Sequence, residues 1–305
     1  MGRLLNRNAL MLTAAVLALA AGCRPTGQAD ASGPLPVAVS IIPECWLVRQ
    51  VGGARVSVEA LVAPGESPHT YQPNDAQVSR LMRAAVFFRI GAAFEKEPWF
   101  QAIQAAQKVR VVDLRDGVQL REESPHEHLR QTSGPAASDP CDDEGKDPHV
   151  WLSPRLLKIQ AATVARTLGE ADPAHRAEYD QNLAALDSRL DQLDQTLRAK
   201  LAPLRGKAFF VFHPAWGYFA DEYGLRQISV EVEGKEPSDQ ELTELQREVR
   251  RSGAKVVFVQ PQISGRSARA VAEAAGARLE QADDLAEDLP GELLRLADAL
   301  VKSYP

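Results

Sequence analysis

The sequence predicts an α/β protein built as two (β/α) lobes, each with a parallel four-stranded sheet, joined by one long rigid helix. Three observations carry this. Short apolar runs alternate with helical patterns up to Leu114. Leucines recur every three or four residues from Leu183 to Leu201. The strand–helix alternation then restarts after Gly206. Alternation of this kind favours parallel sheets covered by helices on both faces.

In chain order, Val37–Ile42 is an apolar run stopped by Pro43 and reads as the first strand. Cys45–Val51 reads as a short helix closed by Gly52 and Gly53, and Val56–Val62 as the second strand. Asn74 or Asp75 caps a helix to about Arg83, because either side chain can accept from a free N–H of the first turn. Ala85–Ile90 is a third strand, Glu95–Gln107 a helix and Val109–Leu114 a fourth strand. Residues 115–147 break the pattern with Glu, Asp, Ser, Pro and Gly. A loop this long inside a domain is usually functional or disordered. After Pro154 a helical run reaches about Gly169, and a second starts at Asp172-Pro173. Its leucine spacing predicts a rod of thirty or so residues, on the order of 45 Å. In the second half, Ala208–Phe212, Gln227–Val232, Val256–Val259 and Ala277–Gln281 read as strands. The helices between and after them are Ala215–Tyr223, Ser238–Ser252 with Ser238 as cap, Ser264–Ala275 and Leu285–Lys302. The division is therefore a first lobe over 35–172, a linking helix over 173–204 and a second lobe over 205–305.

Ahead of these lobes, residues 1–22 carry Arg3, Arg7 and the apolar run Ala9–Ala21. That is the make-up of an export signal, too short to span a membrane. Ala20-Ala21-Gly22-Cys23 is similar to a bacterial lipobox, which would make Cys23 the lipidated first residue of an exported, tethered chain. Residues 23–34 form the linker. Losing Arg3 and Arg7 takes the formal charge from −6 to about −8, and a net acidic chain argues against a nucleic-acid partner. Cys45 and Cys141 remain; in an oxidising compartment they can pair, but only if the fold brings their Cα atoms within about 7 Å.

Ligands of open α/β sheets bind beyond the carboxyl ends of the strands. His69 follows the second strand, His149 follows the long loop after the fourth, His213 ends the first strand of the second lobe and Asp283 follows the last. Three imidazoles and a carboxylate, two from each lobe, make a donor set that zinc accepts. Each also has an ordinary reading, as a surface histidine or a helix cap, and the spacings match no short local zinc signature.

Four segments add a resemblance: Pro64-Gly65-Glu66-Ser67-Pro68-His69, Asp147-Pro148-His149-Val150-Trp151-Leu152-Ser153-Pro154, Phe212-His213-Pro214-Ala215-Trp216-Gly217-Tyr218-Phe219 and Gly234-Lys235-Glu236-Pro237-Ser238. In this order they resemble the motifs of the zinc/manganese-binding solute-binding proteins of ABC transporters, nearest to the zinc branch. The resemblance implies an extracytoplasmic, monomeric zinc receptor that delivers Zn²⁺ to an ABC permease. It places the ion between the lobes on His69, His149, His213 and Asp283. Histidine at 213, where manganese members carry an acid, points to Zn²⁺ over Mn²⁺, as ligand softness also does. Two departures stand out. Gln260-Pro261-Gln262 replaces the family's Glu-Pro-Gln, and Asp284 stands where a proline usually follows the aspartate, which leaves Asp284 as the competitor of a favoured Asp283. Glu66 is a candidate to approach the ion or brace a ligand. His126 and His128 belong either to a secondary metal site or to a solvated acidic loop. Trp151, Trp216 and Tyr218 are expected to pack around the histidines, and His175 to lie at the surface. The alternatives are a manganese or iron receptor, a surface adhesin and, from another class, a secreted zinc hydrolase, which would need an open position for water.

Overall fold

The computed structural model describes residues 33–122, 145–231 and 238–304. The export signal, Cys23, His126, His128, Cys141 and most of the Gly234–Ser238 motif lie outside them. Pro34–Pro305 cluster as one compact unit.

The first lobe holds β1 (Leu35–Val39), β2 (Val56–Ala60), β3 (Val86–Arg89) and β4 (Arg110–Asp113) in the order β2-β1-β3-β4. The second holds β5 (Ala208–Val211), β6 (Arg226–Ser229), β7 (Val256–Val259) and β8 (Arg278–Gln281) in the order β6-β5-β7-β8. All neighbours are parallel. The central strands are buried on both faces, which is why Phe87-Phe88, Ala208-Phe209-Phe210-Val211 and Val256-Val257-Phe258-Val259 read as continuous apolar runs and not as alternation. In both lobes the strand order reverses direction at the middle, and the chain leaves the two central strands on opposite sides there. A crevice opens at that point.

Element ends shift modestly from the sequence reading. The helix α1 (Ile42–Gly52) begins one residue before Pro43, which sits in its first turn where a missing N–H costs nothing. Asn74, not Asp75, caps α2 (Asp75–Leu81), accepting from Gln77 N while Gln77 Oε1 accepts from Asn74 N. The expected Glu95–Gln107 helix is split: a 3₁₀ turn over Ala93–Lys96 precedes α3 (Pro98–Ala106), because Pro98 can only begin a helix. Ser238 caps α7 (Asp239–Ser252) as expected; α6 (Gly217–Tyr223), α8 (Arg266–Ala275) and α9 (Leu289–Ser303) complete the second lobe.

Ser153 caps α4 (Pro154–Ala171), its Oγ accepting from Leu156 N. The linking helix α5 spans Arg176–Leu201, or about 39 Å. It is shorter than expected because 3₁₀ turns at Pro173–His175 and Ala202–Leu204, each with a proline among its first two residues, replace its ends. Tyr179, Leu186, Leu190, Leu193, Leu197 and Leu201 are buried along it, while Leu183 is only partly covered. The helix is more than a strut. It packs on α1 and α4 of the first lobe and on α9 and α6 of the second. One hydrophobic core runs from Val37 and Phe88 through its leucines to Phe209, Trp216 and Leu296. Moving one lobe against the other would therefore expose leucines worth about 1.5–3 kcal/mol each, which resists a wide hinge motion.

Candidate metal centre

Three imidazoles meet between the lobes. His213 follows β5 by two residues, on the crevice side of the second sheet. His149 precedes the 3₁₀ turn Val150–Leu152 at the exit of the long excursion after β4. His69 lies on the loop after β2. One nitrogen from each lies within 4.8 Å of the others. The ring centroids of His69 and His213 are 4.3 Å apart, and those of His149 and His213 are 5.1 Å apart.

Two of the rings are held from behind. His149 Nδ1 donates to Asp147 Oδ1 at 2.7 Å, and the same oxygen accepts from His149 N at 3.0 Å. His213 Nδ1 donates to Glu231 Oε1 at 2.6 Å. A carboxylate accepts only, so each Nδ1 carries the proton and each Nε2 presents a lone pair. Those two Nε2 atoms face each other at 3.2 Å. Without a proton or cation between them, two lone pairs at that distance repel. Two ligands of a tetrahedral zinc ion at about 2.0–2.1 Å sit about 3.3–3.4 Å apart, so the spacing fits a shared ion. Burial would raise the Asp147 carboxyl, but His149 and Arg121 more than offset it and hold it below the ordinary range. His69 has no carboxylate behind its ring among the described residues. The residue is exposed, although its ring sits among the other two. Desolvation where the rings crowd together, then the charges of His213 and His149, lower its pKa to about 3, which keeps it neutral at neutral pH.

The expected fourth donor, Asp283, is already engaged by its neighbours. Asp283 Oδ1 already accepts from Gln262 Nε2 at 2.8 Å and Leu285 N at 3.1 Å. The buried carboxyl with an unpartnered oxygen is its neighbour Asp284, whose Oδ1 makes no hydrogen bond. Burial pushes the Asp284 carboxyl up, and His213 and His149 are near enough to pull it back. Its main chain is fixed from the other lobe, with Trp151 Nε1 donating to Asp284 O at 2.7 Å.

The family model described as zinc-uptake complex component A, periplasmic, matches residues 37–302. The chain belongs to this family. Among the relatives of this zinc-uptake receptor is the high-affinity zinc uptake system protein ZnuA of Brucella abortus (strain 2308). It is 28% identical over 337 residues, spanning 98% of this chain and 99% of that protein. The protein of the same name from Bacillus subtilis (strain 168) is 26% identical, over 89% of this chain and 86% of its own length. Of solved structures, a crystal structure of ZnuA is 36% identical with a TM-score of 0.78, covering 88% of this chain and 99% of that one. A zinc-bound ZnuA lacking residues 138–173 of its own chain is 37% identical, also with a TM-score of 0.78, covering 88% of this chain and 98% of that one.

Other residues singled out in the sequence of this zinc-uptake receptor fall as follows. Glu66 is exposed and turned back on its own loop, where its Oε2 accepts from Ala63 N. Trp151 packs 5.2 Å from the His149 ring, Trp216 is fully buried and Tyr218 OH donates to Asp147 O. All three are packing and bracing groups. His175 is partly exposed and paired with Asp172. Cys45 is a free, buried thiol whose pKa burial pushes up to about 12. The replacement at Gln260 has a structural answer: its Nε2 donates to His213 O and its Oε1 accepts from His213 N. An amide does both at neutral pH, whereas an ionised glutamate cannot donate.

Two functional residues escaped the sequence reading. Glu231 stands 18 positions from His213 across β6, with no local signal. Asp147 sits two places before His149 inside the recognised motif, and a short acceptor at that offset reaches both the backbone N–H and the ring of the histidine.

Proposed function

We propose that this chain captures Zn²⁺ in the cleft between its lobes and passes it to an ABC permease. In this reading His69, His149 and His213 bind the ion, with Asp284 in place of Asp283 as the fourth ligand. The observation that carries it is the pair of carboxylate-backed imidazoles whose Nε2 atoms converge at 3.2 Å. Membership in the zinc-uptake family and the likeness to a zinc-bound ZnuA support the choice of metal. The donor set does too, since three imidazoles suit zinc better than manganese. Asp284 Oδ1 is buried and unpartnered, and the carboxyl is near enough to His213 and His149 to feel their charge, so binding an ion removes the cost of leaving it unsatisfied. Four protein ligands close the shell and leave no position for a catalytic water, which sets a receptor apart from a hydrolase.

The export signal and Cys23 fit a chain tethered by lipid at the extracytoplasmic face and acting as a monomer. Among the described residues, no helix is long and apolar enough to cross a membrane. Capture then occurs by local adjustment of the His69 loop, because the shared core through α5 resists lobe rotation.

Competition titration with zinc and manganese, on the wild type and on Asp283→Asn and Asp284→Asn, tests the reading. Zinc should displace manganese, and Asp284→Asn should weaken zinc more than Asp283→Asn does. Manganese winning would overturn the metal, and the reverse order of the two variants would return the ligand role to Asp283.

A further inference from the structure

The long excursion after β4 is closed at its neck. Glu122 and Lys146 form an isolated antiparallel bridge and an ion pair, and Asp147 N donates to Arg121 O at 3.0 Å. Arg121 is at the centre of this neck. Its Nη1 donates to Asp147 Oδ2 at 3.0 Å, on the carboxylate whose other oxygen holds His149 Nδ1. Its Nε donates to Asp221 Oδ2 at 3.0 Å, on α6 of the second lobe. Its backbone N–H donates to Tyr218 OH at 3.1 Å, and that hydroxyl donates onward to Asp147 O at 2.8 Å. The guanidinium lies 5.8 Å from the centre of the Tyr218 ring.

The packing around this arginine is close. A Cβ built on Gly217, the first residue of α6, would lie 1.5 Å from Arg121 Nη1 and 2.8 Å from Asp147 Oδ2. Glycine is needed there for the approach of the ion pair; its backbone is ordinary helix. The Asp147 carboxylate is buried, while that of Asp221 is 61% exposed. The two arms of the arginine therefore differ. An exposed pair contributes little, whereas removing the partner of a buried carboxylate leaves it uncompensated and free to reorient.

We infer that Arg121 is a positioning residue for zinc: it locks the Asp147 carboxylate, and through it the His149 ring, against the second lobe. The inference rests on His149 being a ligand. Arg121 touches no ion itself. It holds the Asp147 carboxylate in the orientation that accepts from His149 Nδ1, and so keeps the proton on that nitrogen and turns Nε2 toward the ion. Residues bracing a ligand in this way typically change metal affinity 10–100-fold when lost. A ligand held less firmly leaves sooner, so most of the loss should appear as faster zinc release.

The test measures zinc affinity and dissociation rate on the full chain for Arg121→Ala, Arg121→Lys, Asp221→Asn and His149→Ala. The His149 ring tautomer of the zinc-free protein is followed by ¹⁵N NMR. Arg121→Ala should weaken zinc by about 10–100-fold and mix the two tautomers of His149. Arg121→Lys should recover most of the affinity, because a single ammonium still reaches Asp147. Asp221→Asn should cost less than about fivefold and leave the tautomer unchanged, as expected for an exposed ion pair. Wild-type affinity in Arg121→Ala would overturn the inference. So would equal loss in the Ala and Lys variants with an unchanged tautomer, which would mark a role in folding alone, or a loss in Asp221→Asn as large as in Arg121→Ala. Unchanged zinc binding in His149→Ala would sink the ligand reading itself. Loss there with none in Arg121→Ala would remove only the role given to Arg121.

Discussion

The two lobes share one strand order and put it to opposite uses. In the first, the crevice between β1 and β3 is plugged. Glu95, from the 3₁₀ turn after β3, accepts from Ile90 N and Ser40 Oγ with one oxygen and from Gly91 N and Arg89 Nε with the other. Its side chain is fully buried. In the second, the matching crevice between β5 and β7 is occupied by His213, held by the Gln260 amide through its backbone and by Glu231 through its ring. A carboxylate that spends all its acceptors on the strand ends and their side chains closes a site. An amide that holds only the main chain of a histidine leaves the ring free to serve one. With its own crevice closed, the first lobe brings its histidines in on loops, one of them re-anchored by Asp147 and Arg121.

The sharpest break of this contrast is His213→Ala, which removes the imidazole carried two residues beyond the end of β5. A zinc site worth about 10–16 kcal/mol over four ligands loses about 2.5–4 kcal/mol per ligand, or on the order of 100-fold in affinity. Calorimetric titration against a competing chelator reads it. Glu231→Gln keeps the shape but removes the charge behind the ring, and should cost about 10–100-fold in zinc affinity with little change in melting temperature. In the first lobe the expectation reverses. Glu95→Ala strands the Ile90 and Gly91 N–H groups, each at about 1–3 kcal/mol, so chemical denaturation should show a large loss of stability while the folded fraction binds zinc normally.

The smallest effect is pH-dependent. Burial, then the nearby Glu95, raise the Glu44 carboxyl well above its ordinary range, and its Oε1 has no hydrogen-bond partner. An acid whose folded pKa exceeds its unfolded one binds more protons when folded. Its favourable contribution is full below the unfolded pKa and is lost as pH rises through the folded pKa. Glu44→Gln keeps an acceptor for Ser40 N and Ile41 N without the charge. It should leave the melting temperature unchanged near pH 4 and raise it at pH 7 and above by on the order of 2–4 °C.

Much of this contrast was legible in the sequence, and the illegible part has a physical reason. Strand and helix types were readable because doubly buried strands become unbroken apolar runs, and because the α5 leucines keep helical spacing. His69, His149 and His213 were readable as strand-end and loop histidines beside prolines, and the motifs ordered them. The bracing groups were not. Glu231 and Gln260 reach His213 only through sheet pairing of β6 and β7 with β5, which one-dimensional spacing does not encode. The proposed preference for Asp284 over Asp283 rests on which carboxyl the Gln262 amide and the Leu285 N–H engage, a matter of side-chain packing. The Glu95 plug was hidden inside what reads as the first turn of a helix.

The central claim is that one zinc ion sits between the lobes on these imidazoles. Anomalous diffraction at the zinc edge from the loaded protein tests it directly. One ion should appear, bound to His69, His149 and His213 at about 2.0–2.1 Å, with Asp284 completing the shell. An ion located elsewhere, or any of the three histidines left unbound, would contradict the account.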